Sequence, residues 1–242
     1  MRVLLLGGTA EARRLAATLH PGVEVISSLA GRVPNPALPV GQVRIGGFGG
    51  ADALRRYLRD NGIDAVVDAT HPFAAAITAR TARVCADVRM PHLVLTRPAW
   101  ETGDATVVPS TAEAAETLER QQYARVFLTT GRSELAAFGT CAAWFLIRVV
   151  TEPDPKTLPR RHALLLSRGP YRYDDEVALM RDHRIDVLVT KNSGGELTRA
   201  KLDAAGTLGV PVVMVQRPPL PVGVATVGTV DEAVEWLTRR AR

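Results

Sequence analysis

Cysteine is scarce: the 242 residues hold two, Cys85 and Cys141. Neither has a second Cys or a His at metal-ligand spacing, so two buried free thiols, no disulfide and no metal site are expected. Aromatic residues make up 5% of the chain and basic residues are scattered without a stripe. That removes the stacking platform and cationic track that nucleic-acid binding needs. No apolar run approaches the roughly 18 residues of a membrane span, and an apolar strand begins at once with no secretory leader before it. A cytoplasmic protein with neither membrane nor nucleic acid as partner is expected. Lysine is rare too, with only Lys156, Lys191 and Lys201, so most positive charge is arginine. At net charge +5 and pI near 9.7, an anionic partner is implied, and guanidinium suits bidentate binding of carboxylate or phosphate.

The remaining composition, 46% hydrophobic and 23% charged, is that of a globular protein long enough for two modest domains. Three stretches of the front half recur in the back half. Val3–Thr9 is echoed by Val126–Arg132 at an offset of 123, Asp64–Pro72 by Asp186–Gly194 at 122, and Pro91–Pro98 by Pro211–Pro218 at 120. Each echo falls where an apolar run ends in small polar residues. Apolar strands alternate with helical patterns throughout, as between Val3–Leu6 and Glu11–Leu19. The expected fold is α/β: two Rossmann-like parallel-sheet domains, residues 1–98 and 99–242, with an inter-domain cleft at facing strand ends.

In the first half, Gly7-Gly8-Thr9 followed by Ala10 and Glu11 lies between strand and helix. There, backbone N–H groups and the helix dipole can receive a pyrophosphate. A full G-x-G-x-x-G is absent, and a tight turn without ligand is the competing reading. Twenty residues after Gly8, the second strand runs into Ser27-Ser28, with Gly31 and Arg32 close behind. Two hydroxyls and a guanidinium with no carboxylate suit a ribose 2′-phosphate, hence NADPH, against the alternative of an ordinary polar loop. Gly46-Gly47 can bend around the adenosine or serve only as a flexible loop. The fourth strand ends in Asp68-Ala69-Thr70-His71, where a nicotinamide ribose or the reacting substrate would lie. His71 is either a proton donor or a structural hydrogen bonder.

In the second half, Thr130-Gly131-Arg132, Ser167-Arg168-Gly169-Pro170 and Lys191-Asn192-Ser193 all terminate strands. Their three basic side chains with adjacent hydroxyls form an anion clamp, or else solvated charge at strand ends. Tyr171 and Tyr173 add stacking surfaces or packing.

Together, Gly7–Ala12, Asp68–Ala74, Thr130–Arg132, Ser167–Pro170 and Thr190–Gly195 resemble the precorrin-6A reductases of cobalamin biosynthesis over essentially the whole chain. The resemblance implies NADPH-dependent reduction of a macrocycle double bond, converting precorrin-6A to precorrin-6B by hydride transfer and protonation of the neighbouring carbon. The implied substrate is an anionic tetrapyrrole, with Arg132, Arg168 and Lys191 on its carboxylates. Lys191, His71 and Asp68 are the catalytic candidates, and the enzyme is expected to be a monomer or small homo-oligomer. Competing readings are a methyl or glycosyl transferase using the same strand ends, which Ser27-Ser28 disfavours, and a non-catalytic NADPH sensor.

Overall fold

The computed structural model describes residues 1–31 and 37–240. It divides into two compact units: Met1–Pro98 with Pro218–Arg242, and Ala99–Arg217. The first unit carries β1 (Arg2–Leu6), α1 (Ala10–Leu19), β2 (Glu24–Leu29), β3 (Gln42–Ile45), α2 (Ala51–Asp60), β4 (Ala65–Asp68), α3 (Ala75–Asp87) and β5 (His92–Leu95). The second carries β6 (Thr106–Val108), α4 (Thr111–Arg120), β7 (Arg125–Leu128), β8 (Trp144–Val149), β9 (His162–Leu166), α5 (Tyr173–Asp182), β10 (Val187–Lys191), α6 (Ala200–Leu208) and β11 (Val212–Val215). The chain then returns to the first unit for β12 (Ala225–Val227) and α7 (Val230–Thr238).

Both sheets have six strands, in the orders β12-β5-β4-β1-β2-β3 and β6-β11-β10-β7-β8-β9. Every strand pair is parallel. Each order is that of a doubly wound sheet built outward from a central strand, β1 in the first unit and β7 in the second, the arrangement that leaves a crevice where the order reverses. The central strand is buried on both faces because its residues alternate between two cores. Val3 and Leu5 pack with Leu15 and Leu19 of α1 and Trp236 and Leu237 of α7. Leu4 and Leu6 pack with Leu54 and Leu58 of α2 and Val84 and Cys85 of α3. Both cysteines are buried and unbridged.

The internal repeat extends to individual hydrogen bonds. Asp64 accepts the Arg2 backbone N–H through its carboxylate at 2.7 Å and donates its own N–H to the Arg2 carbonyl at 2.9 Å. Asp186 likewise accepts the Arg125 N–H at 3.0 Å and donates to the Arg125 carbonyl at 2.9 Å. Each aspartate thereby starts its unit's central strand in register.

The expected domain boundary is corrected: the chain from Pro218 belongs with the first unit, because β12 pairs with β5 and α7 completes that core. After β7 the chain forms a 3-10 segment, Arg132–Phe138, kinked at Glu134.

Candidate functional site

In the first unit the adjacent strands β4, β1, β2 and β3 end on one edge, and their carboxyl ends are laced together. The Gly7 N–H donates to the Ser28 carbonyl at 2.9 Å, the Ala69 N–H to Leu6 at 2.9 Å and the Gly46 N–H to Leu29 at 2.8 Å. Thr9 caps α1, its hydroxyl accepting from the Ala12 N–H at 3.1 Å and donating to the Ala69 carbonyl at 2.7 Å. One side chain thus locks the β1 turn to the β4 turn across the switch point. Gly8 adopts φ +116° with no atom within 4 Å of where a Cβ would sit. Gly46 shares that φ and that space. These positive φ values favour glycine, and the open room lets a ligand approach the backbone. The first N–H groups of α1, at Ala10 and Glu11, make no intrahelical bond and suit an anion.

Ser27 and Ser28 face opposite sides of the sheet. Ser27 is 1% exposed and its hydroxyl has no partner among the described residues. The Ser28 hydroxyl accepts from the Arg44 guanidinium at 3.0 Å. Arg44, near the end of β3, also donates to the Gly46 and Gly47 carbonyls at 2.7 and 3.1 Å and lies 4.0 Å above the Phe48 ring. Sequence reasoning passed over Arg44 as a strand residue, although an arginine two positions before a glycine pair at a strand end was the available signal. Arg32 lies outside the described residues, and Gly31 next to it has φ +71°.

Asp68 is 1% exposed; its Oδ1 accepts both the N–H and the hydroxyl of Thr70, at 3.0 and 2.6 Å, and its Oδ2 is buried without a hydrogen-bond partner among the described residues. The His71 Nδ1 accepts the Phe73 N–H at 3.2 Å, which makes Nε2 the donor nitrogen of the neutral ring. The Glu11 carboxylate is paired with Arg97 at 2.9 Å.

In the second unit, the loops after β7, β9 and β10 share one sheet edge. Thr130 is 5% exposed, and its hydroxyl and that of Ser167 are buried without hydrogen-bond partners among the described residues. Arg132 donates to the Thr151 hydroxyl at 2.9 Å, while Arg168 is exposed. The Lys191 ammonium is 2.8 Å from the Glu134 carboxylate, an ion pair absent from the sequence reading. The Asn192 amide oxygen accepts the Trp100 N–H at 2.8 Å and its amide nitrogen donates to the Trp100 carbonyl at 3.0 Å. Arg217 donates to the Asn192 and Ser193 carbonyls at 2.7 and 2.9 Å. The two residues that flank this unit's chain crossings therefore hold the loop after β10.

A parallel sheet with glycine turns and free helix N–H groups at its switch point, and a cationic rim on a second such sheet, is an arrangement that suits the class of nicotinamide-dependent reductases. Within that class the chain belongs to the precorrin-6x reductase family: the family model Precorrin-6x reductase CbiJ/CobK matches residues 2–238. It is 65% identical over 236 residues to a precorrin-6A reductase of Mycobacterium tuberculosis, covering 98% of this chain and 97% of that one. It is 53% identical over 247 residues to that of Rhodococcus erythropolis, covering 99% of each. A solved structure of CobK precorrin-6A reductase superposes with a TM-score of 0.91 at 37% identity, covering 99% of this chain and 96% of that one. The chain is accordingly an oxidoreductase, and these relatives lend nothing to the transferase or sensor readings. Among the described residues no helix is long and apolar enough to cross a membrane, and no three metal-capable side chains cluster.

Proposed function

We propose that this chain reduces precorrin-6A to precorrin-6B with NADPH, the first unit holding the cofactor and the second the substrate carboxylates. The observation that carries the cofactor choice is the end of β2, where Ser28 is bonded to Arg44 and the sequence from Val25 to Ala51 contains no Asp or Glu to take up ribose hydroxyls. Gly8, Thr9, Ala10 and Glu11 receive the pyrophosphate on backbone N–H groups, at a turn that Gly7 anchors through its own bond to the Ser28 carbonyl. Gly46 and Gly47 border the adenosine, with Ser27, Ser28, Gly31, Arg32 and Arg44 around the 2′-phosphate. Ala69 and Thr70 lie along the nicotinamide ribose, held by Asp68.

NADPH supplies the hydride, so the protein's work is orientation and proton delivery. Arg132 and Arg168 take macrocycle carboxylates, with Thr130, Gly131, Ser167, Gly169 and Ser193 shaping the rim. Glu134 fixes where the Lys191 ammonium sits. His71 and Lys191 are the groups able to deliver the proton that accompanies the hydride. The site is cytoplasmic in this reading, and the partner is a small anionic tetrapyrrole. Anaerobic incubation with precorrin-6A and NADPH should oxidise one NADPH per macrocycle and raise the product mass by two hydrogens. NADPH that stays reduced, or a transferred group in the product, would refute the assignment.

A further inference from the structure

The two units carry different residues at one equivalent rung. Register places Ser28 on β2 four residues beyond the partner of Arg2, and Arg148 on β8 four residues beyond the partner of Arg125. Where the first unit presents a small hydroxyl beside its glycine turn, the second has a buried guanidinium. Arg148 is bonded bidentate to Glu176 of α5, at 2.9 and 2.6 Å, with side chains 7% and 2% exposed. Its guanidinium carbon lies 4.7 Å from the Phe127 ring and 4.0 Å from the Tyr171 ring.

Tyr171 closes the loop that begins at Ser167. Its hydroxyl donates to the Ser167 carbonyl at 3.2 Å and its N–H to the Leu197 carbonyl at 3.2 Å. Gly169 is packed so closely that a Cβ there would meet the Leu197 carbonyl oxygen at 3.1 Å. The loop from Ser167 to Pro170 is thus fastened at both ends of Tyr171, and the face of that ring rests on Arg148. Desolvating an ion pair costs more than its Coulomb energy commonly returns, and well-packed apolar residues would often be as stable. The Arg148 Nε is also buried without a hydrogen-bond partner among the described residues. Stability alone is therefore a poor reason for this pair, whereas a guanidinium fixed in plane is a rigid seat for an aromatic ring.

We propose that Arg148, held by Glu176, is a positioning residue that sets the Ser167–Pro170 loop for the substrate's carboxylates through the face of Tyr171. The proposal rests on the reading that this loop meets the macrocycle.

The test is the double variant Arg148→Met/Glu176→Met, which leaves no buried charge unpaired, alongside Tyr171→Leu and Tyr171→Phe. The double variant should unfold at or above the wild-type temperature and bind NADPH with unchanged affinity. Its kcat/KM for precorrin-6A should fall about 10- to 100-fold, chiefly through KM, as a loop displaced by about 1 Å would produce. Tyr171→Leu should reproduce that KM, and Tyr171→Phe, which keeps the ring face, should recover most of it. A wild-type KM in the double variant would overturn the proposal, as would NADPH affinity falling in step with KM. Arg168→Ala separates the two readings. If it raises KM while the double variant does not, only the positioning role fails; if it leaves KM unchanged, the loop does not meet substrate and both fail.

Discussion

His92, at the start of β5, illustrates how little room the first unit leaves for charge. Its Nε2 is buried without a hydrogen-bond partner among the described residues. Burial lowers the imidazole pKa from its usual 6.5, with the nearby Asp68 pulling weakly the other way. Below pH 6.5 the unfolded imidazole takes up a proton that the folded one refuses, so stability must fall as pH drops through that value, levelling only beneath the folded pKa. Urea midpoints at about pH 7.5 and about pH 5.5 should therefore differ more in the wild type than in His92→Asn. Equal slopes would remove His92 from the account. The same burial drives the Cys85 thiol up to about 12 and Cys141 to about 11, which fits packing rather than reactivity. Single residues were the scale at which sequence said least. Nothing in one-dimensional spacing shows that the Asp68 carboxylate folds back onto Thr70, that Asn192 is taken up by Trp100, or that Lys191 meets Glu134. Those assignments depend on which rotamer finds a partner across the fold.

Among elements, α7 is the one that sequence misplaced. Its 229–237 stretch repeats the pattern of 110–118, a Ser or Thr cap followed by Glu at the third helical position, and both caps form. The strands before them, Thr106–Val108 and Ala225–Val227, are three residues each and partly exposed, too short to register as apolar runs. Without them, chain order made 218–242 look like the tail of the second domain. Pairing of β12 with β5 sends it back instead. By contrast, β1 was legible from the run Val3–Leu6, because a continuous apolar run bounded by a glycine turn leaves few alternatives. The return of α7 has a measurable consequence. Trp236 is 7% exposed in the core shared with β1 and α1, so Trp236→Ala should cost about 3–5 kcal/mol in a urea titration. A loss under about 1 kcal/mol would mean that α7 is not part of the first unit's core.

For the molecule as a whole, duplication explains both what could be read and what could not. Two copies of one sheet share a strand-starting aspartate, a helix cap and a strand order. They differ at their rims, one presenting Gly7, Gly8 and Ser28 with Arg44, the other Arg132, Arg168 and the Arg148–Glu176 pair. Family membership supplies the reaction class, and the proposed division of labour between cofactor and substrate rests on the asymmetry of the rims. The identity of the dinucleotide is where that division is most exposed to test. Binding titrations of wild type and Arg44→Met with NADPH and with NADH measure it directly. A charge-assisted bond to a 2′-phosphate contributes about 1.5–3 kcal/mol, so the wild type should prefer NADPH by roughly 10- to 100-fold and the variant should lose most of that preference. Equal affinity of the wild type for both, or a preference that survives Arg44→Met intact, would contradict the placement of the 2′-phosphate beside Ser28.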